Sequence, residues 1–162
     1  MDNDAKRPGH RALRRGRSSL PGCAYLLTTV CVRRQPLFRD WPCASAVAAT
    51  LAETRLWRDA RLECWVLMPD HLHVLVTLGN EVLPKLACRI KAVTSREASR
   101  ALERTRGPVW ARGYHDHALR REEDLRTVAR YLIANPLRAG LAAAPGDYPF
   151  WNARWLDGAD IL

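Results

Sequence analysis

Residues 71 to 78, HLHVLVTL, alternate along an extended chain: Leu72, Val74, Val76 and Leu78 fall on one side, His71, His73, Leu75 and Thr77 on the other. This pattern predicts a strand. The preceding RLECWVLM, residues 61 to 68, is apolar on both faces, as a strand covered on both sides must be, and Pro69-Asp70 between the two marks a turn. The pair therefore reads as a hairpin at the centre of a sheet. β-Branched and aromatic content predicts an earlier strand from Tyr25 to Val32, followed by an Ala-rich helix from about Ala44 to Trp57. Leu83, Leu86, Ile90 and Val93 recur at helical spacing and predict a long helix over residues 82 to 104. Residues 108 to 120 read as a last strand, irregular at Gly113. Glu122, Glu123 and Asp124 then load the first turn of a final helix that ends at Asn135-Pro136. Strand, helix, two strands, helix, strand, helix is an α+β plan with a central, mainly antiparallel sheet.

A chain of 162 residues has room for one sizeable core and not for two ordinary domains. Residues 21 to 162 are read as that single domain, its aromatic-rich tail packing against the body. Residues 1 to 20 carry Lys6, Arg7, Arg11, Arg14, Arg15 and Arg17 with almost no large apolar side chain, and are read as a mobile basic arm. The net charge of +9 points toward a polyanionic partner. Five cysteines, odd in number and never in a C-x-x-C pair, favour neither a disulfide framework nor a zinc ribbon and suit a reducing cytoplasm. No window approaches the ~18 to 20 apolar residues of a membrane-spanning helix.

Two groups of residues carry candidate chemistry. His71 and His73, two apart on a strand, project side by side with Cα atoms roughly 6.5 Å apart, which suits two ligands of one divalent metal; a third ligand must come from elsewhere. A histidine pair on an exposed sheet face is the plain alternative, because H-x-H is short and common. On the final helix, Tyr131 and Asn135 stand four apart and share a face beside the apolar stripe of Leu125, Val128 and Leu132. A boundary tyrosine and an ordinary Asn-Pro helix ending would give the same pattern. Lys85, Arg89, Arg96 and Arg100 form a basic stripe on the long helix, either a solvated face or a phosphate-binding one.

MPDHLHVLV followed by GYHDHALRREEDLRTVARYLIANPLRAGL resembles the Y1 single-strand transposases of the IS200/IS605 type, and more narrowly the REP-associated tyrosine transposases of bacteria. The resemblance runs from about Tyr25 to Trp151, and the combination of H-L-H, W-x-x-x-Y and Y-L-I-A-N-P-L-R-A-G-L is far more specific than any single piece. It implies a ferredoxin-like α/β sandwich. It also implies a nucleophilic tyrosine at Tyr131 and a metal site of His71, His73 and Asn135 holding Mg²⁺ or Mn²⁺; Asp70, before the first histidine, is not assigned as a ligand. The implied substrate is single-stranded DNA bearing hairpins, nicked and rejoined through a 5′-phosphotyrosine. Lys85, Arg89, Arg96, Arg100 and Arg138 would contact phosphates and Trp110 or Tyr114 would stack on a base, although core packing is the default for each aromatic. A nucleoid-associated cytoplasmic protein, either monomer or homodimer, is implied.

Two rival readings differ in class. His115 and His117 form a second H-x-H, and four histidines would make a two-metal hydrolase without a covalent tyrosine. A relative that recognises hairpins without cutting them would be a binding module. Metal-dependent adduct formation separates both from the transposase chemistry.

Overall fold

The computed structural model describes residues 19–104, 107–120 and 124–155; all of the basic arm but its last two residues lies outside them, as do Glu122, Glu123 and the end of the tail. Among the described residues, five strands and four α-helices follow in the order β1 (Ala24–Val30), α1 (Trp41–Leu51), β2 (Ala60–Met68), β3 (His71–Leu78), α2 (Leu83–Ala101), β4 (His115–Ala118), α3 (Leu125–Ile133), α4 (Asn135–Arg138) and β5 (Trp151–Ala153). They form one sheet, β4-β1-β3-β2-β5, antiparallel at every junction. This is the ferredoxin-like plan with a fifth strand added at one edge.

β3 sits at the centre and distributes its side chains between two cores. Leu72, Val74, Val76 and Leu78 pack with Val47 and Leu51 of α1 and with Leu86 and Ile90 of α2, so both long helices lie on that face. Leu75 points the other way, into a smaller cluster with Cys64, Val66 and Met68 of β2 and Ala129, Leu132 and Ile133 of α3. By strand parity His71, His73 and Thr77 belong to this second face, beneath α3. The period-2 pattern thus decides which layer receives the histidines.

Several boundaries differ from those the sequence predicts. α1 begins at Trp41, where the Asp40 carboxylate accepts the Cys43 N–H (2.9 Å) and Pro42 occupies the first turn. It stops at Leu51, and the segment to Trp57 is a separate 3₁₀ turn whose indole Nε1–H donates to the Leu51 carbonyl at 2.9 Å. The strand expected over residues 108 to 120 shrinks to His115–Ala118 with one isolated bridge between Cys31 and Trp110. Positive φ at Gly113 breaks the extended run, and Lys91 Nζ–H groups donate to the carbonyls of Ala111 and Gly113 (2.7 Å each) instead of leaving them to a ladder. Asp124 caps α3, accepting the N–H groups of Arg126 and Thr127 (3.2 Å each). Pro136 has no N–H for the ladder, and a new turn, α4, starts at Asn135. The tail contributes β5, which the sequence pattern did not reveal because three residues are too few for a period.

Candidate active site

The two imidazoles lie 4.8 Å apart between ring centroids and nearly perpendicular, at 83°. Each Nδ1 is engaged. His73 Nδ1 meets the Thr28 hydroxyl at 2.8 Å, a contact set by sheet register, since Thr28 of β1 is the direct partner of His73. His71 Nδ1 lies 2.5 Å from Asp70 Oδ1, and Asp70 Oδ2 accepts from Arg34 at 3.3 Å. Where Nδ1 carries the proton, as the Asp70 carboxylate requires of His71, the Nε2 lone pair is the one left to ligate, the usual arrangement in which an outer partner fixes the ring.

Electrostatics favour a neutral His73. Burial, and after it the charges of His71, Arg138 and Arg34, push the His73 pKa down to about 4, so its lone pair is available at neutral pH without a proton being displaced. Burial raises the Asp70 pKa, but the hydrogen bond and charge of His71, together with Arg34, outweigh it and hold the carboxyl below its ordinary value. Asp70 is thus an anionic outer partner to His71, a role its position before the motif did not disclose.

Tyr131 and Asn135 arrive from the helical layer. Leu132 and Ile133 face the sheet, which turns Tyr131 outward to 62% exposure. Arg138 binds the pair together: its guanidinium carbon stands 4.0 Å from the centroid of the Tyr131 ring, and its Nη2 donates to the Tyr131 carbonyl (2.8 Å) and to Asn135 Oδ1. The same guanidinium is close enough to His73 to lower its pKa. Arg138 therefore joins tyrosine to amide, next to the helix that covers the histidine face of the sheet.

Among the described residues no three His, Cys, Asp or Glu side chains gather as a metal site. A third protein donor beside the two imidazoles would then be an amide or hydroxyl oxygen, the chemistry that Asn135 Oδ1 offers. Two imidazole nitrogens and one oxygen would suit a divalent cation that keeps open positions for phosphate or water, Mn²⁺ better than Mg²⁺ because of the imidazoles.

Residues 19–135, which span all four of these side chains, match the family model described as IS200-like transposase. The chain belongs to that family. It is similar to the REP-associated tyrosine transposase of Escherichia coli strain K12, with 26% identity over 95 residues, 57% of this chain and 54% of the relative. The match thus spans about half of that relative's length. Among solved structures, a REP-associated tyrosine transposase bound to a REP hairpin superposes with a TM-score of 0.62 at 23% identity, covering 83% of this chain and 79% of the other. A protein from Deinococcus radiodurans R1 described as a candidate transposase gives 0.51 at 18% identity, covering 80% and 98%. These two likenesses establish the fold.

In this IS200-like chain the remaining sequence-derived site residues divide sharply. Arg138 is at the site. Lys85, Arg89, Arg96 and Arg100 ride on α2, across the sheet from the histidines, because β3 sends its aliphatic side chains to α2 and its histidines to the other face. The stripe is also partly neutralised: Arg89 is held by Glu81 (Nη2 to Oε2, 2.6 Å) and the Leu56 carbonyl (2.9 Å), and Arg100 by Glu97 at 2.6 Å. Trp110 and Tyr114, expected as base-stacking residues, are core side chains at 4% and 8% exposure. Trp110 packs on Phe38 with ring centroids 5.2 Å apart and donates its Nε1–H to Thr94 at 2.9 Å, so neither ring face awaits a base. His115 and His117 lie on the edge strand β4 with β1 between them and His73, and they join no metal-ligand group of three among the described residues. No described helix is long and apolar enough to cross a membrane.

Proposed function

We propose that this protein is a tyrosine nuclease and strand transferase that cuts and rejoins single-stranded DNA bearing hairpins. The observation carrying the reading is the exposed Tyr131 phenol tied through Arg138 to Asn135 and to the field of the His73 imidazole. Family membership supports DNA processing, and one structural relative is bound to a REP hairpin. Tyr131 Oη attacks the scissile phosphorus, the bond to the 3′ oxygen breaks, and the 3′ oxygen leaves with a proton as a hydroxyl. The product is a 5′-phosphotyrosine. Because this ester keeps the energy of the phosphodiester, a second 3′-hydroxyl can reverse the attack and join strands with no nucleotide cofactor.

Phenols, with an ordinary pKa of about 10, are weak nucleophiles at neutral pH, so the surrounding groups have defined work. Arg138, stacked on the Tyr131 ring, stabilises negative charge as it grows on the phenol oxygen. Asp70, accepting from Nδ1–H, holds His71 in the tautomer that presents Nε2, and Thr28 orients the His73 ring. Held by His71, His73 and Asn135, Mg²⁺ or Mn²⁺ would supply a Lewis acid for the scissile phosphate and for the charge on the departing oxygen. The exposure of Tyr131 suits a flexible unpaired backbone, which can bend into the site as a stacked duplex cannot.

The test is a denaturing gel of protein with labelled hairpin-bearing single strands, in Mg²⁺, Mn²⁺ or chelator. A covalent adduct that needs metal and vanishes in Tyr131→Phe and His73→Ala supports the reading. Retarded native mobility with no adduct in any metal would replace it with the non-cutting hairpin-binding module.

A further inference from the structure

We infer that the connection between β1 and α1, residues 33 to 41, is a second DNA contact surface that carries an unpaired strand toward the site, with Trp41 stacking on one of its bases. The inference rests on the reading of the site as one that handles single-stranded DNA.

Trp41 and Tyr131 are by far the most exposed aromatic side chains among the described residues, at 61% and 62%. Tyr131 has a chemical reason to be exposed. Trp41 has none in the fold, since α1 is capped by Asp40 and buries Cys43, Ala44, Val47 and Leu51 without it. Its indole leans on Phe150 at 5.0 Å between centroids, tilted by 58°, and Phe150 meets Tyr148 edge-on at 5.8 Å. That aromatic base steadies the indole and leaves most of it to solvent, as a stacking platform requires.

The charges around it are those of a phosphate track. Arg33, Arg34 and Arg39 are exposed on the same connection. The acidic neighbours are already occupied: Asp40 caps α1, and Asp70 is shared by His71 and Arg34. Arg33 and Arg34 hold φ of 52° and 55°, left-handed conformations that a side chain adopts only where its surroundings impose them. The imposing contacts are backbone hydrogen bonds from Cys31 N–H to the Asp70 carbonyl (2.7 Å), Val32 N–H to Val109 (2.9 Å) and Phe38 N–H to Pro69 (2.9 Å). Two of these three acceptors are the turn that carries His71. The connection is therefore fastened to the site and displays its arginines beside it.

Spacing agrees with a continuous path. The Phe150 carbonyl accepts from Leu67 N–H at 2.9 Å, which puts Phe150 one strand position outside β2 and two strand spacings, about 10 Å, from β3. Trp41, the first residue of α1, leans on Phe150 from the α1 side of the sheet, at the end where β2 turns into β3. A strand whose phosphate occupies the histidine end of β3 passes Arg34 and rounds that end of the sheet to reach Trp41.

The experiment compares a blunt DNA hairpin, the same hairpin with a four-thymidine tail on either side, and hairpins whose tails are abasic, by fluorescence anisotropy with full-length protein. In the wild type a base-bearing tail on one side should tighten binding about tenfold. Trp41→Ala should lose that gain while binding the blunt hairpin as before, and Trp41→Phe should keep most of it. Persistence of the gain in Trp41→Ala, or an equal gain from the abasic tail, would overturn the inference. So would a concentration-dependent dimer that Trp41→Ala abolishes with tail binding unchanged, which would give the indole to a second copy of the chain. Failure of the wild type to bind any of these DNAs would instead remove the underlying functional reading.

Discussion

In the proposed metal site a divalent cation would compete with Arg138 for Asn135 Oδ1, and the competition is measurable. Arg138 Nη2 donates to Asn135 Oδ1 and to the Tyr131 carbonyl at 2.8 Å, with the guanidinium 4.0 Å over the Tyr131 ring. A cation bound through Asn135 Oδ1 displaces one exposed hydrogen bond, whose net value is about 1 kcal/mol. It also meets a positive charge at close range: a double charge and a single charge ~6 Å apart in water repel by about 1.4 kcal/mol, less with salt. Removing the guanidinium should therefore favour the metal by about 1 to 2 kcal/mol, roughly 5- to 30-fold in Kd. The assay is Mn²⁺ binding to DNA-free protein, followed by electron paramagnetic resonance at low ionic strength, for wild type and Arg138→Ala. Adduct yield should move the opposite way, falling in the variant because the charge that stabilises the phenol oxygen is gone. An unchanged or weakened Mn²⁺ affinity in Arg138→Ala would refute the competition. A wild type that takes up no Mn²⁺ would refute the metal site itself.

Thr28→Val removes the Nδ1 partner of His73 while keeping the shape of the side chain, and should weaken Mn²⁺ binding by roughly tenfold with little change in Tm; calorimetric titration of folded variant and wild type decides it. In chelated protein the His73 ring should stay neutral down to pH about 4, which its imidazole NMR signals report. Since its ordinary value of 6.5 applies to the unfolded chain, that chain takes up a proton between pH 6.5 and about 4 that the folded one refuses. Stability contributed by neutral His73 is thus complete above that window and lost as pH falls through it, by roughly 3 kcal/mol in all. Urea melts of His73→Gln should show a shallower acid slope, and an identical slope would contradict the assignment. Trp110→Phe gives up the indole hydrogen bond to buried Thr94 and should cost about 1 to 2 kcal/mol in urea unfolding, with hairpin affinity unaltered; a loss of affinity without a loss of stability would return Trp110 to the DNA surface.

Local periodicity alone determined the central features of this protein. The alternation of residues 71 to 78 puts both histidines on one face of a strand whatever surrounds it, and the four-residue step from Tyr131 to Asn135 puts phenol and amide on one helical flank even though the helix breaks at Ala134, two residues before Pro136. Such patterns are legible because they follow from backbone geometry, which no partner alters. Relations between segments distant in the chain were decided by tertiary structure. Thr28 reaches His73 only because β1 pairs with β3 in that register. The basic stripe of α2 has ideal helical spacing, yet it lies across the sheet from the histidines because the other side chains of β3 claim that helix for their core. Trp110 has the composition of a stacking residue and the environment of a core one, and Trp41, unremarkable in the sequence, is left exposed at the start of α1. Composition states what a side chain can do; burial and the identity of its neighbours, which only the folded chain specifies, determine which of those capacities remains available.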